Sequence, residues 1–140
     1  MKRIAVLCLA LGLFLAASPA PLLARRQGKE QAIRFAKGSA ASATYKGRVP
    51  KSEYDYDAYL LKRAKAGQVL GFTLESADPA ARVVVYAMEL GPTEDLIAPA
   101  KLGGAPLRKW SGKLPVTGGY SVQVYGKRPG TSYTLKVSLK

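Results

Sequence analysis

Histidine is absent from this chain of 140 residues, and cysteine occurs once, at Cys8. Without either residue in the body of the protein there is no Ser-His-Asp or Cys-His nucleophile pair and no imidazole or thiolate metal site. Acidic residues are scarce too, nine against 22 Lys plus Arg. Paired carboxylates would suffice for glycoside hydrolysis, but the one dense acidic cluster is Glu53-Tyr54-Asp55-Tyr56-Asp57. Glu30, Glu75, Asp78, Glu89, Glu94 and Asp95 are scattered over turns and strand ends. These absences predict a protein that is no enzyme, with no catalytic residue, no cofactor and no metal, acting by binding.

The apolar run near the start is short of the roughly 20 residues a spanning helix needs. It extends from Ile4 to Ala17 behind Met1-Lys2-Arg3, and Ser18-Pro19-Ala20-Pro21 and Leu22-Leu23-Ala24 follow. Basic, apolar and small-residue regions in that order are those of a secretory signal peptide. Cleavage after Ala24 makes residues 1–24 the signal peptide and exports the remainder to the periplasm, with no membrane attachment afterwards. Cys8 leaves with the signal peptide, so the mature chain relies on a packed core rather than disulfides. At 140 − 24 = 116 residues it is long enough for one such domain. Residues 25–30 read as a flexible lead-in and 31–140 as a single domain.

The formal charge is +13; removal of Lys2 and Arg3 leaves 20 − 9 = +11. Such an excess favours anionic partners over distances of about 8 Å at physiological salt. Export argues against nucleic acid and for a cell-wall polymer such as peptidoglycan, another anionic polymer, anionic lipid headgroups, or the acidic cleft of a protein. Solubility alone is the plainer account of the same lysines.

The stretch Ser52–Ser76 organises the rest. Tyr59 and Leu61 share one face by the period of two, as do Leu70, Phe72 and Leu74, with a turn at Ala66-Gly67-Gln68 between. That pattern predicts a half-buried hairpin whose two strands face a common core. Ala32–Ala36 reads as a first strand, and Ser42–Val49 as a second in which Gly47 marks a bulge or a close backbone approach. Val83-Val84-Val85 suits a strand covered on both faces. Gly91–Ala105 is a long loop broken by Pro and Gly, with one helical turn at Thr93–Ala98. Trp110, the only tryptophan, reads as a core plug. Tyr120, Val122 and Val124 point inward, and the last strand alternates cleanly, with Tyr133, Leu135, Val137 and Leu139 on one face. About eight short strands with turn signals every eight to twelve residues predict an all-β fold, a small antiparallel β-sandwich.

Two resemblances follow from particular segments. Gly118-Gly119-Tyr120-Ser121-Val122-Gln123-Val124-Tyr125-Gly126 with Thr131–Val137 resembles the end of bacterial pre-peptidase C-terminal domains, sandwich modules of secreted hydrolases. That likeness implies a cell-wall or anionic-polysaccharide binding module, with outward lysines of the last strand and the Arg108-Lys109 region holding the polymer. More specific are Phe35-Ala36-Lys37-Gly38-Ser39, Ser42-Ala43-Thr44-Tyr45-Lys46-Gly47, Tyr54-Asp55-Tyr56-Asp57-Ala58-Tyr59 and Ala64-Lys65-Ala66-Gly67-Gln68. In register, these resemble the periplasmic inhibitors of goose-type (g-type) lysozyme. The resemblance implies an exported β-sandwich that occludes the lysozyme's substrate cleft with protruding loops. It implies a contact role for Tyr54 and Tyr56, with Asp55 between them, on a tyrosine-bearing loop. The family's arginine-bearing loop corresponds to Lys127-Arg128-Pro129-Gly130, shorter here and with one arginine, so the contact role passes to Arg128 with Lys127 beside it. Glu53, Asp55 and Asp57 would supply a local acidic patch against a basic lysozyme.

Overall fold

The computed structural model describes residues 27–36, 41–52, 55–88, 96–98, 101–102 and 105–140. The expected signal peptide with Cys8, the residues Glu53 and Tyr54, and the stretch 89–95 lie outside them. In chain order the strands are β1 (Gln27–Ala32), β2 (Ser42–Arg48), β3 (Tyr56–Ala64), β4 (Val69–Ser76), β5 (Arg82–Ala87) and β6 (Leu96–Ala98). There follow β7 (Lys101–Leu102), β8 (Ala105–Pro106), β9 (Lys109–Lys113), β10 (Gly118–Tyr125) and β11 (Ser132–Leu139). One sheet runs β1-β3-β10-β5-β6 and the other β2-β11-β4-β9; β7 and β8 pair only with each other. The all-β sandwich is therefore present. Within it the pairing of β1 with β3 is parallel, and the other pairings are antiparallel.

Alternation places the core. Tyr133, Leu135, Val137 and Leu139 of β11 face Leu70, Phe72 and Leu74 of β4 on the same side of their sheet, and all are buried. Opposite them Tyr59 and Leu61 of β3, Tyr120, Val122 and Val124 of β10, and Val83 and Val85 of β5 fill the other inner face. Val84, on the outer side of β5, is only 4% exposed, so that strand is covered on both faces as its composition requires. Gly47 is a close approach: a Cβ there would stand 2.3 Å from the ring of Tyr133. Trp110 is half-buried on edge strand β9, its ring 6.0 Å from that of its cross-strand neighbour Phe72.

Three expectations are corrected. The strands flanking the turn at residues 65–68 do not form a hairpin, because β3 belongs to one sheet and β4 to the other. Gly67 takes φ +86 at this turn, and Gln68 N–H donates to the Lys65 carbonyl at 3.2 Å. Lys65 N–H donates to Gln68 Oε1 at 2.7 Å within the turn, while Gly67 N–H bonds outward to Leu114 O and Val69 N–H to Lys140 O, each at 2.8 Å. Period-two alternation fixes which face a strand buries but not which strand pairs with it.

The first strand begins earlier than its apolar residues suggest. β1 covers Gln27–Ala32, so part of the stretch read as a flexible lead-in is ordered, and Ile33–Ala36 lie beyond the strand. Its polar sequence carries no alternation because its backbone is held from outside, by β3 and by the carboxylate of Asp57, which accepts from Lys29 N–H at 2.8 Å. Within the segment read as a long loop with one helical turn, Leu96–Ala98 form β6 on the edge of β5. Pairing with that edge satisfies backbone groups that a single turn of helix would leave open.

Asp57 also accepts from the Tyr133 hydroxyl at 2.5 Å, and Tyr133 meets the Tyr59 hydroxyl at 2.7 Å. Since the single phenolic proton of Tyr133 goes to the carboxylate, Tyr59 donates to Tyr133. Tyr59 lies in one sheet and Tyr133 in the other, so this buried chain links the two layers. Burial, followed by the neighbouring carboxylate and phenol, pushes the Tyr133 hydroxyl far above the usual phenol range. Tyr133→Phe removes the donor to Asp57 and the acceptor for Tyr59, and should cost about 2–3 kcal/mol in urea unfolding. Tyr45→Phe, whose hydroxyl accepts from the exposed Arg34 N–H, should cost about 1 kcal/mol or less.

Candidate functional site

Three connections converge at one end of the sandwich: residues 49–55 between β2 and β3, 77–81 between β4 and β5, and 126–131 between β10 and β11. The registers put them there, since Val124 lies opposite Asp57, Tyr125 opposite Arg82, Ser132 opposite Arg48 and Tyr133 opposite Ser76. Backbone bonds join the first connection to the third. Val49 N–H donates to Thr131 O at 2.8 Å, and Gly130 N–H donates to Val49 O at 2.9 Å.

Asp78 joins the second connection to the third. Its side chain has no exposed surface. One carboxylate oxygen accepts from Ala80 N–H at 2.9 Å, the arrangement of an Asx turn. The other accepts from Lys127 N–H at 2.6 Å and Arg128 N–H at 2.8 Å. A Cβ on Gly126 would come within 2.5 Å of that oxygen, so the carboxylate needs glycine beside it. Burial by itself would raise the Asp78 pKa, but the three backbone donors and the Arg128 charge outweigh it and hold the carboxyl below the usual range. The Asp78 carbonyl in turn accepts from the Arg108 guanidinium, which also donates to Ser76 O at 3.1 Å. Arg108 is therefore occupied in tying the β4–β5 connection, and does not belong to an open polymer-binding surface with Lys109.

The expected contact residues fall within this end. Lys127 and Arg128 have exposed side chains while their backbone amides are fixed on Asp78. Asp55 is half-buried, and its N–H closes a turn onto Ser52 O at 3.0 Å. Tyr56 opens β3 half-buried, its ring 5.2 Å from that of Tyr125, and Arg82 lies 4.9 Å above the centre of the Tyr125 ring. Tyr54 and Glu53 are outside the described residues. Asp57 is 5% exposed and fully engaged with Tyr133 and Lys29, so it contributes nothing to an acidic surface patch. Among the described residues, the exposed or half-exposed charges here are mostly cationic: Arg48, Lys51, Arg82, Lys127 and Arg128, against Asp55. No group of three His, Cys, Asp or Glu able to hold a metal occurs among the described residues.

Asp78, Arg82 and Tyr125 were not singled out for this end from sequence. Ala77-Asp78-Pro79 marks a turn, but two of the three partners of its carboxylate lie 49 and 50 residues away. Arg82 and Tyr125 become neighbours only through the β5–β10 register.

Comparison of the fold with solved structures gives its relatives. Aeromonas hydrophila PliG, a periplasmic lysozyme inhibitor of g-type lysozyme, matches with 30% sequence identity and a TM-score of 0.62, over 80% of this chain and 96% of that one. The chain belongs to the PliG family. A mutant of PliG-Ec from Escherichia coli (24% identity, TM-score 0.59) and Salmonella Typhimurium PliG (22%, 0.60) share the fold. Each match covers 81% of this chain and 99% of the other. No protein-family model and no curated protein matches the sequence.

In this PliG-family chain the arginine-bearing connection is held on a buried carboxylate, and that attachment is pH-dependent. Because the folded pKa of Asp78 is lowered, its contribution to stability is complete above the usual carboxylate range and is lost as pH falls through the folded value. Asp78→Asn should cost about 1–3 kcal/mol at neutral pH and speed amide exchange at Lys127 and Arg128. The stability gap between the two proteins should narrow as pH falls; a gap constant down to pH 2 would contradict the assignment.

Proposed function

We propose that this chain is an exported inhibitor of a g-type lysozyme, acting by occlusion of the enzyme's substrate cleft with the loop end of the sandwich. Membership of the PliG family carries the reading, and a periplasmic location follows from the same kinship together with the expected signal peptide. The convergence of the tyrosine-bearing connection 49–55 and the arginine-bearing connection 126–131 at one end supports it, because a plug needs both on one leading edge.

The chemistry of the two connections suits such a cleft. A glycosidase cleft offers a catalytic carboxylate and sugar subsites. Aromatic rings stack where sugars would lie, and a guanidinium pairs with a carboxylate through two parallel hydrogen bonds. In this mechanism Tyr54 leads into the subsites, Tyr56 supports it from its tilted contact with the Tyr125 ring, and Arg128 with Lys127 beside it faces the catalytic acid. Asp55 is tied by its N–H to Ser52 O. The cations described at this end direct attraction at the carboxylates of the cleft, and the buried Asp57 takes no part in an acidic patch.

Fixing the backbone beforehand matters as much as the contacts. Ordering a loop on binding costs about 0.5–1.5 kcal/mol per immobilised side chain. Amides already held by Asp78 and Val49 avoid part of that cost.

In a lytic assay the purified mature protein should inhibit g-type lysozyme stoichiometrically, and chicken-type and invertebrate-type enzymes much less. Combined Tyr54→Ala and Arg128→Ala should weaken inhibition by several kcal/mol, as expected for central hot-spot residues. Inhibition unchanged by that pair would remove the proposed mechanism.

A further inference from the structure

The outer face of the β2-β11-β4-β9 sheet has a regular chemistry that occlusion by the loop end does not use. Across the four strands, Thr44, Lys136, Thr73 and Lys109 lie in one row. The next row is Ser42, Ser138, Gly71 and Ser111. Beyond it Lys140 and Lys113 flank Val69. A line of hydroxyls is thus bordered on each side by a pair of lysines. Strand spacing puts the members of each pair about 10 Å apart, and the strand rise puts the two pairs about 13 Å apart.

At the centre is an open depression of about 290 Å³. Its floor is Gly71, where a Cβ would stand 2.8 Å from the Ser138 hydroxyl, and Lys109 and Lys136 form its sides. Lys109, Lys113, Lys136 and Lys140 are all exposed. The acid on this face among the described residues is Glu75, 3.4 Å from the Lys136 ammonium, with both side chains more than half exposed. A pair so exposed is worth little and yields readily to a competing anion.

We propose that this face binds a carboxylate-bearing polysaccharide chain lying along the hydroxyl row, its carboxylates reaching the lysines on either side. The occupant follows from the chemistry. Four ammonium groups around a hydroxyl floor complement a ligand that carries both anions and sugar hydroxyls. Phe72, Trp110 and Val137 also line the depression, but they occupy the inward positions of their strands; a protein partner would require outward aromatic or aliphatic anchors at the centre of the patch, and the outward residues there are glycine and serine. A lipid surface would require an apolar side chain to enter it, and the outward apolar residue here is the half-buried Val69. The site does not depend on the inhibitor reading, since it shares no residue with the loop end.

Isothermal titration calorimetry with an alginate oligomer, a polyuronate, tests the proposal on the mature protein. Binding is expected at low salt, weakening steeply as salt rises. Lys109→Gln with Lys136→Gln should reduce affinity at least tenfold and flatten the salt dependence. Lys113→Gln with Lys140→Gln should act in the same direction from the other side of the row. Lys127→Gln with Arg128→Gln should leave alginate binding unchanged, and neither pair on the sheet should alter lysozyme inhibition. Absence of alginate binding at low salt, binding indifferent to both pairs of sheet lysines, or equal affinity for phosphatidylglycerol vesicles would overturn it.

Discussion

Two buried carboxylates hold the loop end of this protein together, and all but one of the donors that bond them are distant in the chain. Asp57 collects Lys29 N–H from β1 and the Tyr133 hydroxyl from β11. Asp78 collects the amides of Ala80, Lys127 and Arg128. A buried charge without partners is strongly destabilising, whereas one with two or three well-placed donors fixes the groups that supply them. The cysteine-free body thereby obtains cross-links between its layers that disulfides supply in many exported domains. No buried side-chain nitrogen or oxygen among the described residues lacks a partner, so the polar array is complete there.

That constraint explains how a plain sandwich carries a specific edge. Apart from the hydrogen-bonded Tyr59, Tyr120 and Tyr133, the inner faces are held by alternation and packing, and would tolerate many apolar exchanges of similar volume. The loop end depends instead on particular atoms: a glycine at 126 that admits the Asp78 carboxylate, a glycine at 47 that admits the Tyr133 ring, and a Tyr125 ring in contact with both Tyr56 and Arg82. The +13 formal charge is likewise divided by position. Part of it stands at the loop end, around Arg82, Lys127 and Arg128, and part in paired rows on the outer sheet face.

Much of this was legible in the residues. Alternation identified the inward faces of β4, β10 and β11, the branched run marked β5 as covered on both sides, and Gly47 stood out as a place of close approach. Segments around Tyr54–Tyr59 and Ala64–Gln68 resembled the inhibitor family to which the fold then proved related. What was not legible was pairing between distant segments. Ser52–Ser76 read as a hairpin because two alternating strands flank a turn, and nothing local distinguishes a turn within one sheet from a turn between two. The polar β1 carries no pattern, because its support comes from Asp57 and β3. Asp57 reads as part of a surface acidic cluster because its neighbours in sequence are polar, whereas its partners in space are the Tyr133 hydroxyl and the Lys29 amide.

The central claim is that the end fixed by Asp57 and Asp78 is the face that meets a g-type lysozyme. Amide hydrogen exchange of the mature protein, alone and with a stoichiometric g-type lysozyme, tests it most directly. Slowed exchange concentrated in residues 49–57 and 126–131, with the outer face of β2, β11, β4 and β9 unchanged, is the result the account predicts. Protection centred on that sheet face, or no protection at the loop end in a mixture that is demonstrably inhibited, would contradict it.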